Sequence, residues 1–171
     1  NAAGEIKTKP TQHSVMRLRE IGLEPNILVC RTESDHHLTP KLKNKLGLFC
    51  NVETHHVFES PDVDTIYEIP LVLHQQNFDD VILDKFGLKI TNHQNLHMLG
   101  NSIGRYNNPK HSVRIAICGK YNGLHDAYKS ILEAFIHSGI ENETEVKVKW
   151  VDTEKMEETR NMGVTLNNVD G

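Results

Sequence analysis

Two lysines on alternate residues, Lys7 and Lys9, stand just ahead of Pro10 in the stretch GEIKTKPTQHSV, with Thr8, Thr11 and Gln12 beside them. In an extended segment residues two apart project to the same side, so the two ammonium groups would point one way and Thr8 the other, unless its hydroxyl caps a helix. Proline fixes φ and lacks an amide donor, which suits the first turn of a helix. Val15, Leu18 and Ile21 then recur at helical intervals, and Gly22 is a natural stop. Cations next to the free N–H groups of a helix start describe an anion site, and phosphate is the obvious anion. The same residues also describe a solvated lysine pair before an ordinary helix. On spacing alone that plainer reading is favoured, because no phosphate-cradling glycines accompany the lysines.

The remaining constellations are weaker. Gly119-Lys120 follows an apolar run, but the upstream glycine of a phosphate loop is absent and Tyr121 stands where Ser or Thr is required. Cys118 lacks the flanking glycines of a nucleophile elbow and reads as a core cysteine. The pairs His36-His37 and His55-His56 suggest a metal. Adjacent histidines in a strand or helix point apart, however, and no Cys or carboxylate lies at ligand spacing, so both pairs read as surface loop histidines. Cys30, Cys50 and Cys118 are far apart in the chain. Cys30 and Cys118 end apolar runs, as buried free thiols of a reducing compartment do. No complete catalytic set and no metal set emerges.

The elements that must position these residues alternate. NILVCR (26–31) reads as a buried strand. KLKNKLGLFC puts Leu42, Leu46 and Phe49 on one helical face and Lys41 and Lys45 on another. Val57 and Phe58 suggest a second strand, and the SPDVDTIYEIP stretch reads as a turn followed by extended chain. Pro70 opens a helix, and Phe78, Val81, Ile82 and Phe86 space a further one that Gly87 stops. Residues 89–111 are polar, with a weak stripe of Leu96, Leu99 and Ile103, and read as a linker holding a lone helix. SVRIAICGKY restarts a strand. DAYKSILEAFIHSG is an amphipathic helix with Ala127, Ile131, Ala134 and Phe135 inside and Gly139 as cap, and EVKVKWVD alternates as a half-buried strand. Strand–helix alternation predicts an α/β layer architecture in two units. A net charge of −4 with 11 histidines gives no global basic field for nucleic acid. No apolar run reaches membrane-spanning length, and no signal peptide opens the chain. The absence of an initiator Met, and an end at LNNVDG where a strand would begin, read as a portion of a longer polypeptide.

The opening motif closely resembles the signature of the glutamine-hydrolysing CTP synthases. The likeness continues in order through ILVCR, KLGLFCNV, DVDTIYEIP, SVRIAICGKY and DAYKSILEA, and so covers nearly the whole chain. It implies a Rossmann-like layered sheet from the end of a synthase domain (1–88), an interdomain linker (89–111) and the beginning of a class I glutamine amidotransferase α/β domain (112–171). It implies UTP and CTP binding by Lys7, Thr8, Lys9, Pro10, Thr11, Gln12 and Lys45. ATP adenine contacts would fall at Asp62 and Val63, and at Pro61, where other members often carry a basic residue. An allosteric GTP site would use Lys120, Tyr121 and Lys129. The family's ATP phosphate loop and Mg²⁺ carboxylates match no residue here, nor do its glutaminase Cys, His and Glu. The resemblance therefore implies no catalytic residue and no metal ligand in this chain, and no activity of the segment alone. It further implies a cytoplasmic homotetramer that takes glutamine as ammonia source. A non-catalytic nucleotide-binding or regulatory module, and a structural fragment that does not function alone, are the competing readings.

Overall fold

A computed structural model describes residues 6–33, 36–89, 96–120, 123–154 and 166–171. The chain divides into two compact units, Asn1–Leu96 and His97–Gly171. The division falls inside the stretch read as a linker, of which residues 90–95 lie outside the described residues.

In the first unit, helix α1 (Lys9–Glu20) leads to strand β1 (Leu28–Thr32), helix α2 (Pro40–Cys50) and strand β2 (Val57–Pro61). Helices α3 (Ile69–His74) and α4 (Phe78–Lys85) follow. Pro10 and Pro70 act as expected, each in the first turn of its helix, and Pro40, read as the end of a loop, does the same for α2. Gly22 follows α1 at φ +83°, a left-handed backbone that favours glycine. β1 and β2 pair in parallel from Leu28↔Val57 to Thr32↔Pro61, with α2 as the crossover. Val15, Leu28, Leu38, Leu46, Cys50, Val52 and Val57 form one buried cluster. Phe58 alternates away from Val57 and meets Phe78 of α4 edge to face, with ring centroids 4.9 Å apart.

Some expected faces are rotated. Leu46 is buried on α2, but Gly47 and Cys50 join it and Phe49 is exposed, because the helix turns its 46/50 row to the core. A side chain at Gly47 would put its Cβ 2.7 Å from the Val52 carbonyl oxygen, so glycine there sets how closely α2 approaches residues 52–54. Ile21 and Phe86, read as helical positions, are exposed beyond the ends of α1 and α4. The segment expected to be extended after residue 65 instead makes a 3₁₀ turn, Ile66–Glu68, that runs into α3.

In the second unit, α5 (His97–Asn107) precedes strand β3 (His111–Gly119), helix α6 (Lys129–Glu141) and strand β4 (Thr144–Asp152). α5 is not a lone helix. It buries Ile103 and packs against α6. β3 and β4 pair in parallel over their whole length, from His111↔Thr144 to Gly119↔Asp152. Ala127 precedes α6, Ile131 and Ala134 are exposed, and the inward row is Leu132, Phe135, Ile136 and Gly139. Gly139 is not a cap. It is buried within α6, where an added Cβ would lie 2.5 Å from the Thr144 carbonyl oxygen. Cys118 is exposed rather than buried, since strand alternation places it with Ser112 and Arg114, away from Ile115 and Ile117. Cys30 is half-buried and Cys50 fully buried, and burial raises both thiol pKa values. Among the described residues no helix is long and apolar enough to cross a membrane.

Candidate functional site

The opening lysines do not sit on an extended strand. Thr8 has helical backbone angles and α1 begins at Lys9, so the segment is already turning. The outcome for the side chains is nonetheless alternating: Lys7 and Lys9 are exposed and Thr8 is 5% exposed between them. Thr8 anchors the turn. Its carbonyl accepts from the Gln12 amide at 3.2 Å, and its hydroxyl accepts from Gln12 Nε2 at 3.2 Å. Thr8 and Gln12 are thus brought together as a structural pair, while Pro10 is exposed and Thr11 half-buried. Lys45 is exposed on α2, the helix that packs against α1. Among the described residues no acid pairs with Lys7, Lys9 or Lys45. These cations are available to an external anion.

The carboxyl ends of β1 and β2 carry a second group. In open parallel sheets this is the edge where ligands bind. The Asp62 amide donates to the Thr32 carbonyl at 2.9 Å, which extends the ladder by one bond, and the Asp62 carboxylate pairs with Arg31 at 2.8 Å. Pro61 and Val63 are half-buried on either side. Close by, Glu59 on β2 is 13% exposed. It accepts from Thr32 Oγ1 at 2.8 Å, meets His37 Nδ1 at 2.9 Å, and takes the Leu38 amide at 3.2 Å. Burial pushes this carboxyl up, but the three hydrogen bonds outweigh burial and hold it below its ordinary value. Gln76 braces the same residue from the other side. Its Oε1 accepts from the Glu59 amide at 2.9 Å and from Lys43 Nζ at 3.2 Å, while its Nε2 donates to the Glu59 carbonyl at 2.7 Å. Sequence reasoning missed Glu59 and Gln76. A lone Glu in a strand and a Gln in a helix–helix turn carry no local signal; only the fold makes them neighbours.

The histidine pairs are placed differently from expectation. His37 is exposed but engaged by Glu59. His55 and His56 do not point apart, because they lie in a 3₁₀ turn (Thr54–His56) rather than in a strand or α-helix; their ring centroids are 4.1 Å apart. His56 is buried, not a surface residue, and burial lowers its pKa and favours the neutral ring. A carboxylate does lie at ligand spacing. One ligand atom each of Glu53, His55 and His56 falls within 4.8 Å of the others.

In the second unit, Lys120 follows β3, and its carbonyl accepts from the Tyr128 hydroxyl at 2.7 Å. Tyr128 in turn packs on Trp150, with ring centroids 5.3 Å apart. This ties the end of β3 to the start of α6, where Lys129 is exposed. Lys120 Nζ pairs with Glu154 at 3.3 Å. Tyr121 lies outside the described residues.

Residues 1–88 match the family described as CTP synthase N-terminus. The chain is 48% identical to a CTP synthase of Cytophaga hutchinsonii over 157 residues, covering 92% of this chain and 29% of that protein. It is 47% identical to CTP synthases of Syntrophus aciditrophicus, over 99% of this chain and 31% of that protein, and of a Hydrogenobaculum species, over 100% and 30%. It thus spans about three tenths of the length of the relatives it matches. With the family matching just over half of the chain, in the stretch that contains the lysine motif and both strands of the first unit, this chain belongs to the CTP synthase N-terminus family.

Proposed function

We propose that the chain is an internal portion of a CTP synthase, a ligase that makes CTP from UTP, ATP and ammonia released from glutamine. In this reading residues 1–88 end the synthase domain, 89–111 connect the domains, and 112–171 begin the class I glutamine amidotransferase domain. The observation that carries it is the start of α1. Two exposed lysines without acid partners flank a buried Thr8 that Gln12 holds in place, in the motif on which the resemblance rests.

Lys7 and Lys9, with Lys45, would supply mobile positive charge to the triphosphate of UTP, or of CTP as feedback inhibitor. Thr8, Pro10, Thr11 and Gln12 would hold that segment in register. The Asp62–Val63 main chain would border the ATP adenine. The Asp62 amide is already used by Thr32, which leaves Val63 as the free reader, and Pro61 offers shape but no side-chain hydrogen bond. Lys120, Tyr121 and Lys129 would belong to a GTP activator site; Lys120 must first leave Glu154. No Mg²⁺ ligand and no catalytic residue is assigned here, so both chemical steps, phosphoryl transfer from ATP and glutamine hydrolysis, would depend on other parts of a cytoplasmic homotetramer.

The test is a Lys7→Ala/Lys9→Ala double variant of the whole enzyme that carries this segment. Each charge-assisted contact is worth about 1.5–3 kcal/mol, so UTP and CTP affinity should fall together by about tenfold or more. Unchanged affinity for both nucleotides in a folded double variant would return the lysines to the solvated reading. The 171-residue chain by itself should neither form CTP nor release ammonia from glutamine.

A further inference from the structure

Glu53, His55 and His56 occupy the short link between α2 and β2 and have no part in the nucleotide reading. Glu53 is the N-cap of the 3₁₀ turn Thr54–His56, its carbonyl accepts from the His56 amide at 2.9 Å, and one ligand atom each of Glu53, His55 and His56 lies within 4.8 Å of the others. Glu53 Oε2 is 3.4 Å from His55 Nε2, and the two imidazole rings are tilted at 59° to each other. We propose that these three side chains bind a divalent transition cation, with zinc the best match to the donors.

Two imidazoles and one carboxylate form the donor set of an open zinc site, and harder cations such as Mg²⁺ prefer all-oxygen surroundings. Zinc holds such donors at about 2.0–2.2 Å, which requires them to close to about 3.3 Å from one another. The described atoms lie within 4.8 Å, so the closure is a matter of side-chain rotation. The burial pattern allows it. His56 is 5% exposed and held by packing and by a hydrogen bond with the Asn26 main chain, while Glu53 and His55, although paired, are exposed and have room to turn. The His55 side also lines a cavity of about 560 Å³ shared with Thr54, Asn44, Lys43 and Gln76, giving room for a fourth, exchangeable ligand. The field at the site is mixed. Lys85 of α4 acts on His56 against a cation, and the Glu53 carboxylate acts for it. Binding would clamp the link that joins the end of α2 to β2, and so stabilise the first unit.

The experiment is a Zn²⁺ titration of the metal-free chain by calorimetry, with Co²⁺ as a spectroscopic probe. Glu53→Gln and His55→Ala change exposed side chains, and their circular dichroism checks that the fold is kept. Wild type should bind one equivalent, show the visible bands of tetrahedral Co²⁺, and melt at higher temperature with Zn²⁺. Loss of an outer partner already costs about tenfold to a hundredfold in metal affinity, and each variant removes an inner one, so each should weaken Zn²⁺ by about tenfold or more and abolish the thermal shift. Absence of stoichiometric binding, or binding unchanged in both variants and therefore owed to other histidines among the 11, overturns the proposal.

Discussion

β1 and β2 pair over five residues and β3 and β4 over nine, yet the shorter sheet carries the deeper core. Of the five largest fully buried side chains among the described residues, Phe58, Leu46, Val57 and Cys50 lie in the first unit and Val151 in the second. The difference is cover. In the first unit β2 is packed on both faces, Val57 toward the cluster that α1 and α2 contribute to, Phe58 toward α4. In the second, α6 lies on the sheet and α5 packs on α6, so the extra helix thickens the helical layer. Strand length sets how many hydrogen bonds a sheet has; the number of covered faces sets how much apolar surface leaves water.

The contrast can be broken most directly at its largest side chain. Phe58→Ala should destabilise the first unit by about 3–5 kcal/mol, read by urea denaturation, whereas Phe135→Ala in the second unit should cost clearly less, because Phe135 is only half-buried. Equal losses would show that the second unit is as well buried as the first. Next come the close approaches. Gly47→Ala and Gly139→Ala each drive a Cβ into a backbone carbonyl oxygen, which cannot rotate away, and each should cost about 1–3 kcal/mol in chemical denaturation. Gln76→Ala follows, at about 2 kcal/mol, because the Glu59 amide and carbonyl lose their partners together.

Acid should weaken the first unit through two groups, Glu59 and His56. The folded pKa of Glu59 is depressed, so its stabilisation is complete above the ordinary value of 4.5 and is lost as pH falls through the lower folded value. His56 is also depressed. Unfolded His56 takes up a proton as pH falls below 6.5 while the buried ring does not, so the first unit begins to lose stability there. A His56→Gln variant that folds should lack the loss beginning near 6.5, and Glu59→Gln should flatten the loss below 4.5, both seen as Tm against pH. The smallest effect is expected at Arg31–Asp62, an exposed pair, where Arg31→Ala should leave Tm within measurement error.

Much of this fold could be read before the coordinates, because its signals are local. Proline at 10 and 70 marks helix starts, and apolar runs at 26–31 and 112–118 mark strands. One misreading came from a glycine taken as a stop that is in fact a contact: Gly139 continues α6, and its bare Cα lets the helix reach Thr144. The lysine motif was legible as a helix start with exposed cations. The Glu59 network and the Glu53–His55–His56 turn were not. One depends on hydrogen bonds between residues up to 33 positions apart, and the other on a 3₁₀ turn, which overrides the rule that neighbouring side chains diverge.

Gln76 has a consequence for how this chain behaves among its own copies. The side-chain amide offers the outer edge of β2 one donor and one acceptor, which is what an added strand would offer at that residue. One residue therefore closes the sheet there without a third strand. When the turn between α3 and α4 loosens, by heat, by denaturant or by conversion of the amide to an acid that can no longer donate, that edge becomes a template for another chain. The first sign of such damage would be strand recruitment between molecules, at protein concentrations where the intact chain stays monodisperse.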